Sequence, residues 1–227
     1  GGITTAYYAG FLLGSWYTLR ALKQVGHIRV YAALASLLSA SVLITGVYDS
    51  PIVWILMRSS TGFCFAGLYV VAESWLNGLA TNTFRGRLLA MYNVVTIGAY
   101  GAGQLLVFNF DARTLTGFAF AAVVSSLAVI PVVMSEQAAT PNVDNHTHIT
   151  MRELAKIVPT GAGTILLVGL AHGGMLGMAV IYATREGLGV GRVGILIAAI
   201  NLGGMALTWP ISSASDDLDR RIIGVLS

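Results

Sequence analysis

Charged residues are scarce in this chain: Asp, Glu, Lys and Arg together make up only 10% of its 227 residues. Soluble domains average about 25% charged residues, so this shortage excludes an ordinary soluble protein. The chain is also 56% hydrophobic, and its mean hydropathy is +0.76. We therefore expect an integral membrane protein, with the lipid bilayer as its first partner.

Cysteine is almost absent as well, because Cys64 is the only one. A single cysteine excludes an intrachain disulfide. His146 and His148 lie in a polar segment without cysteines or a carboxylate cluster, so we expect no metal site and no other cofactor. The sequence also lacks HExxH, GxGD and comparable catalytic motifs, which argues against an enzyme. It has no DNA-binding motif, so no nucleic-acid partner is expected.

Long apolar runs occupy most of the chain instead. A run of about 20 residues is long enough to cross the hydrocarbon core of a bilayer as a helix, and continuous runs without a period of two predict an all-α fold. We therefore expect a polytopic membrane helix bundle. The predicted spans are residues 3–19, 30–48, 52–76, 88–109, 114–134, 157–184 and 193–212.

The basic residues indicate the orientation of these spans. Alternate loops contain nine Lys and Arg residues, and the opposite loops contain three. The first group is Arg20, Lys23, Arg29, Arg85, Arg87, Arg152, Lys156, Arg220 and Arg221, and the second is Arg113, Arg185 and Arg192. The positive-inside rule then predicts that the loops after spans one, three, five and seven are cytoplasmic. We expect a multi-pass protein of the cell (inner) membrane.

The segment 52–87 is an apolar helix that has a charged residue near each end. At about 100° per residue, Arg58, Gly62, Ala66, Tyr69 and Glu73 fall within one quadrant of the helix. A charge in lipid costs about 2.5 to 3.5 kcal/mol at a helix centre on insertion scales, so this face should turn toward protein or a watery cavity. A functional surface and a structural ion pair are both compatible with this pattern.

Three more polar side chains lie inside predicted spans. His172, near mid-membrane in span six, is suited to proton transfer or solute binding and equally to a hydrogen bond with a neighbouring helix. Asn201 lies at mid-depth in span seven. Gln104 lies beside a glycine-rich segment of span four, residues 98–103, that suits close packing or a rocking contact.

Small and turn-forming residues indicate how the first spans pack. Gly10 and Gly14 are four residues apart and predict a seam where another helix approaches closely. The segment 30–48 is rich in Ala and Ser and is interpreted as scaffold. The turn Asp49-Ser50-Pro51 predicts that spans two and three are antiparallel neighbours. Residues 135–156 form the only long polar segment, a linker with a predicted surface helix at 151–156.

Two loops on the predicted cytoplasmic side contain related motifs, residues 19–29 and 215–221, and six spans separate them. A parallel repeat of six helices is the organisation of certain secondary transporters. In the major facilitator superfamily (MFS) the repeated loop has the pattern Gly-x-Leu-x-Asp-Arg-x-Gly-Arg-Arg. Asp216, Arg220 and Arg221 match the second copy. Gly26 matches the first copy, where Lys23 replaces the aspartate.

Further matches follow the order of the MFS helices. Arg58 followed by Gly62 corresponds to the helix-four pattern, Glu73 to its terminal acidic residue, and Arg85-Gly86 to the Arg-Gly before helix five. Helix five lacks the Gly-Pro signature of the drug antiporters. The chain therefore resembles a fragment of an MFS transporter, most similar to a poorly characterised bacterial branch. The resemblance covers essentially all of the chain.

This resemblance implies seven of the twelve MFS helices, numbers two to eight. Residues 1–134 would form the N-terminal bundle without helix one, 135–156 a cytoplasmic linker, and 157–227 the start of the C-terminal bundle. We accordingly expect one span before Gly1 and four after Ser227. The implied function is transport of a small solute by alternating access, with protons as a candidate coupling ion.

The resemblance and the buried polar groups together give two sets of site residues. The substrate or coupling pathway comprises Arg58, Glu73, His172, Asn201 and Gln104. The cytoplasmic gate comprises Gly26, Arg29, Arg85, Arg87, Asp216, Arg220 and Arg221, although membrane anchoring and helix capping would also explain these charges. The alternative function is a free-standing seven-helix receptor or sensor. A retinal protein is disfavoured because Lys23 and Lys156 lie in predicted loops.

Overall fold

The computed structural model describes residues 2–79, 85–106, 110, 114–134, 159–187, 192–200 and 202–203, and all regular structure in these residues is α-helical. The all-α prediction is therefore confirmed for the described part of the chain. The helices are α1 (Gly2–Val25), α2 (His27–Val47), α3 (Pro51–Leu79), α4 (Arg85–Leu106), α5 (Leu115–Leu127), α6 (Val129–Met134) and α7 (Pro159–Arg185). Residues 192–200 are helical as well.

Proline sets several helix boundaries. Pro51 and Pro159 are the first residues of α3 and α7, a position that needs no backbone N–H donor. The carbonyl of Ser50 accepts a hydrogen bond from Trp54 N at 2.9 Å, which begins α3 directly after the predicted turn. Pro131 cannot donate to the carbonyl of Leu127, and α5 ends at that carbonyl before α6 resumes one residue later.

The connection between α1 and α2 differs from the predicted loop at 19–29. Only Gly26 is non-helical there, and its φ of 84° and ψ of 167° lie in a region that is essentially restricted to glycine. Gly26 N donates to Leu22 O at 3.1 Å, and Gly26 O accepts from Val30 N at 3.2 Å. The basic residues Arg20 and Arg29 therefore lie on helix ends and not in a flexible loop.

Two compact units make up the chain. The first contains residues 1–89 and 110–145, and the second contains residues 90–109 and 146–227. Helix α4 begins in the first unit and continues into the second. Within the second unit, a Cβ added at Gly101 would lie 3.4 Å from Leu202 Cδ2, so this glycine is a packing site. The predicted domains are continuous stretches of sequence with boundaries at 134 and 156, whereas these two units are each built from separate stretches. The predicted boundaries stay predictions.

The first unit is built on alternating helix directions. Along α1, Gly10 and Gly14 lie against Ser59 and Phe63 of α3, so equal steps in the same direction show that these helices run parallel. Between α2 and α3 the pairing runs in the opposite sense. The α2–α3 pairs are His27 with Ser74, Leu34 with Gly67 and Ser41 with Ser60. This alternation agrees with successive passages through one membrane.

The contact between α1 and α3 joins backbone to backbone. A Cβ at Gly10 would collide with the Ser59 carbonyl, and a Cβ at Gly14 would collide with the Phe63 carbonyl. From the other side, a Cβ at Gly62 would collide with the carbonyl of Tyr7. Small residues at such interfaces allow close approach and strong van der Waals contact where the hydrophobic effect contributes little. The predicted Gly10 and Gly14 seam is confirmed.

Helix α2 packs against α1, α3, α5 and α6, in agreement with its interpretation as scaffold. Its serines connect it to two of these neighbours. Ser41 Oγ lies 2.8 Å from Ser60 Oγ of α3. Ser39 Oγ donates to Ala122 O of α5 at 2.9 Å and accepts from Ser126 Oγ at 2.9 Å. These bonds satisfy hydroxyl groups that would otherwise be costly in an apolar surrounding.

Three described segments are long and apolar enough to span a membrane: His27–Val47, Pro51–Gly78 and Leu115–Met134. Their mean hydropathies are 1.9, 1.4 and 2.2. A shorter apolar helix covers Leu166–Met175 within α7. Most large apolar side chains on α5, on α6 and in the segment Leu166–Met175 are exposed, as expected for surfaces that contact lipid or further helices.

We expect Gly14→Ala to destabilise the protein by about 1–3 kcal/mol, because the new methyl group must push the α1 and α3 backbones apart. The measurement is the thermal unfolding of the detergent-solubilised protein. Gly98→Ala is the matched control, since a Cβ at this position in α4 meets no atom within 4 Å. Equal stability of the two variants would contradict the close contact between α1 and α3.

Candidate functional site

The charged face of α3 is divided by its contact with α1. Arg58 and Glu73 are exposed, whereas Gly62 is buried against α1 and Ala66, between the two charges, is also buried. The middle of the face therefore packs against protein, and only its two ends are open. This arrangement satisfies the expectation that the face turns toward protein, but it excludes a cavity lined by the whole face.

Arg58 and Glu73 are too far apart to neutralise each other. Fifteen residues separate them, which corresponds to about 22 Å along a helix axis. Within the described residues, neither side chain forms an ion pair. Their backbone carbonyls accept hydrogen bonds from Thr61 Oγ1 at 2.9 Å and Asn77 Nδ2 at 2.8 Å. The two charged groups therefore lie toward opposite ends of the span and do not pair with each other.

At the predicted cytoplasmic end, a buried histidine joins α2 to α3. His27 is 1% exposed, and its Nε2 lies 3.0 Å from Ser74 Oγ. Its ring also packs against Trp75, with the ring centroids 6.3 Å apart. Because His27 follows Gly26 and Ser74 follows Glu73, this contact places the α1–α2 turn beside the acidic end of α3. Gly26 and Glu73 are the predicted site residues that it brings near each other.

Sequence reasoning missed His27. The residue lies in a segment that the sequence analysis interpreted as a polar loop, where histidine is usually solvated. Its burial depends on the helical continuation of α1 and on the antiparallel register of α2 and α3. The available signal was Gly26, which marks a possible turn between two helices but does not indicate that the next side chain is buried.

The remaining predicted gate residues lie in different parts of the chain. Arg29 is exposed in the first turn of α2, and Arg85 and Arg87 lie in the first turn of α4. Asp216, Arg220 and Arg221 lie outside the described residues. Near the same predicted surface, the guanidinium carbon of Arg20 lies 3.4 Å from the centroid of the Trp16 ring, a cation–π contact.

The remaining pathway residues are distributed over separate helices. Gln104 is half-buried near the end of α4, and His172 lies in the middle of α7. Asn201 lies outside the described residues. No group of three His, Cys, Asp or Glu residues that could hold a metal ion occurs in the part of the chain that the structure describes.

Alternating apolar helices that pack through glycine and serine define a polytopic helical membrane protein. Two curated transporters are similar to this chain. The chain is 24% identical to "Uncharacterized MFS-type transporter YcaD" of Escherichia coli O45:K1 (strain S88 / ExPEC), over 98% of this chain and 59% of that protein. The protein of the same name from Escherichia coli O81 (strain ED1a) matches to the same extent. The resemblance to part of an MFS-type transporter is thereby confirmed, and the described helices agree with a polytopic helical bundle.

The similarity to these transporters covers only part of their length. The chain spans 59% of the length of these curated relatives. No family model matches the chain. No solved structure matches it. The relatives are named as transporters and not as enzymes, in agreement with the expectation drawn from the missing catalytic motifs.

We expect Gly26→Ala to destabilise the protein by about 1–3 kcal/mol, because a side chain is strained at this backbone conformation. No atom lies within 4 Å of the added Cβ, so the loss would come from the backbone alone. Thermal unfolding in detergent measures it. Gly103→Ala, also in open space but inside helix α4, should keep or increase stability. Wild-type stability of Gly26→Ala would contradict the positive φ.

The contact between His27 and Ser74 can be tested with a double-mutant cycle. We expect the variants His27→Ala and Ser74→Ala to show a coupling of about 0.6 kcal/mol, the average for hydrogen bonds between membrane helices. The free energies of unfolding of the two single variants and the double variant give this value. Ser36→Ala combined with His27→Ala is the matched control, since Ser36 is exposed on another part of α2. Full additivity for His27 and Ser74 would exclude the bond.

Proposed function

We propose that this chain is the helix-two to helix-eight part of a secondary transporter that moves a small solute across the cell membrane by alternating access. The observation that supports this proposal most is the match to MFS-type transporters along 98% of the chain. Those relatives are longer, so the rest of the transporter would provide the second half of the solute pathway. The inner membrane is the proposed location, with the α1–α2 turn on the cytoplasmic side.

In this proposal the two ends of α3 have different roles. Arg58 lies toward the outer end and would contact the solute or the coupling ion. Glu73 lies beside the His27 contact and would belong to the inner gate with Gly26 and Arg29. Gate contacts that differ by about 1.4 kcal/mol between two states change their ratio tenfold, so a few ion pairs suffice to bias the inward and outward states.

The other site residues extend these two regions. Gln104, His172 and Asn201 would line the pathway from separate helices, and Glu73 and His172 are the proposed proton carriers. Arg85 and Arg87, at the start of α4, would join the inner gate. Asp216, Arg220 and Arg221 would contribute to the gate from the second copy of the loop motif.

A free-standing receptor or sensor is the alternative, since such a protein would bind a solute without moving it. Transport in reconstituted vesicles separates the two functions. The complete protein is placed in proteoliposomes with an imposed pH gradient and offered radiolabelled sugars, amino acids, carboxylates and organic cations. Thermal shift with the same solutes measures binding independently of movement.

We expect at least one solute both to stabilise the protein and to accumulate in the vesicles. Arg58→Ala should abolish this accumulation while membrane insertion and folding are kept. Ser125→Ala is a control, because its side chain bonds only within α5, to Ala121 O, among the described contacts. Stabilisation without accumulation would support the receptor, and full transport by Arg58→Ala would contradict the role given to this residue.

A further inference from the structure

Arg58 lies at an unusual depth for a cation. It is the eighth residue of α3, about 10 Å from the start of that helix at 1.5 Å per residue. A helix of 29 residues is about 43 Å long. The hydrocarbon core is about 30 Å thick, so a centred α3 would place the Arg58 backbone several ångströms inside the core.

Among the described helices, no acidic residue lies at the depth of Arg58. Helices α1, α2, α4, α5, α6 and α7 contain no Asp or Glu at all, and Glu73 is the only acidic residue of α3. Glu73 lies toward the opposite end of the same helix. Arg58 is exposed and forms no ion pair within the described residues. Its positive charge is therefore not balanced by any described helix.

The other basic residues of the described helices lie near helix ends, where water and lipid head groups can solvate them. Arg20 and Lys23 are in the last two turns of α1, Arg29 is in the first turn of α2, and Arg85 and Arg87 are in the first turn of α4. Arg185 is at the end of α7, and Arg192 begins the helical segment 192–200. Positive-inside topology explains the first five of these positions. It does not explain Arg58, which lies toward the end of α3 that is opposite to the cytoplasmic turn.

The guanidinium group also has a specific chemistry. Arginine is the side chain that proteins use most often to recognise carboxylates and phosphates. Its planar set of N–H donors matches the two oxygens of a carboxylate or phosphate, and such charge-assisted pairs are stronger than neutral hydrogen bonds. A mobile anion that enters with the solute would complete this site.

We infer that Arg58 binds an anionic group of the transported solute, a carboxylate or a phosphate. This inference rests on the proposed transport function and narrows its substrate class to organic or inorganic anions. An alternative use of Arg58 is to reach the lipid head groups, because side chains on a helix tilt toward its N-terminus. In that case solute binding would not depend on its guanidinium.

The test compares anions with neutral isosteres on the complete protein in proteoliposomes. The probes are inorganic phosphate, lactate paired with lactamide, and succinate paired with succinamide. Thermal shift measures binding, and uptake of the radiolabelled probe measures transport. The variants are Arg58→Gln, which removes the charge, and Arg58→Lys, which keeps it. Arg185→Gln is the matched control, since it removes an exposed arginine at the end of another helix.

We expect at least one anion to stabilise the wild-type protein while its amide partner does not. Arg58→Gln should weaken binding of that anion about 10- to 100-fold, as expected for the loss of charged hydrogen bonds. Arg58→Lys should retain part of the affinity, and Arg185→Gln all of it. If Arg58→Gln fails to insert, the partial loss in Arg58→Lys is the deciding measurement.

Three results would overturn the inference: no anion stabilises the wild-type protein, a neutral probe is the one transported, or Arg58→Lys and Arg58→Gln both bind the anion with wild-type affinity. Transport of a neutral probe would still support the proposed function. Anion binding that depends on Arg58, but occurs without any uptake, would support the anion site and contradict the proposed transport function.

Discussion

The close backbone contact between α1 and α3 is the constraint on which the rest of the first unit depends. Glycine at positions 10, 14 and 62 lets the two backbones touch at carbonyl groups of the opposite helix. No larger residue fits there without separating the helices. With α1 and α3 held parallel at this distance, α2 lies antiparallel to α3 and contacts both. The burial of Gly62 between the charged residues of α3 follows from this packing.

This contact also separates the two charged side chains of α3, Arg58 and Glu73. A face with Arg58 and Glu73 at its ends would be expensive in lipid along its whole length if both charges were central. Burial of Gly62 and Ala66 gives the middle of the face a dry, protein-filled surrounding. One charge thus remains toward each side of the membrane. In the proposed transporter, this separation keeps the solute contact of Arg58 apart from the inner gate that contains Glu73.

Much of this architecture was predictable from the sequence, and the reasons are specific. Apolar run length predicts spans, the Gly10 and Gly14 spacing predicts a close contact, and Pro51 predicts the start of α3. The α1–α2 turn was not predictable in the same way. The segment Arg20-Ala-Leu-Lys-Gln-Val is polar enough to suggest a loop, yet these residues have high helix propensity and continue α1 to Val25. Polarity indicates exit from the membrane and does not by itself end a helix.

The surroundings of the candidate site residues were not predictable from the sequence. A helical period identifies which side chains share a face of α3, but it does not identify the neighbour that covers the face. The burial of Gly62 against α1 and the contact of His27 with Ser74 both require the register between helices, which arises from packing over the whole unit. Periodicity gave the correct set of residues on α3 and could not assign their surroundings.

Two hydrogen bonds between α2 and α3 have a mechanical consequence. The His27–Ser74 and Ser41–Ser60 contacts lie fourteen residues apart on α2, about 21 Å along the helix. Two attachment points at that separation fix both sliding and axial rotation, because a shift of one helical turn would break both bonds at once. The α2–α3 pair should therefore tilt as one rigid body, and relative motion between helices is expected at other helix pairs.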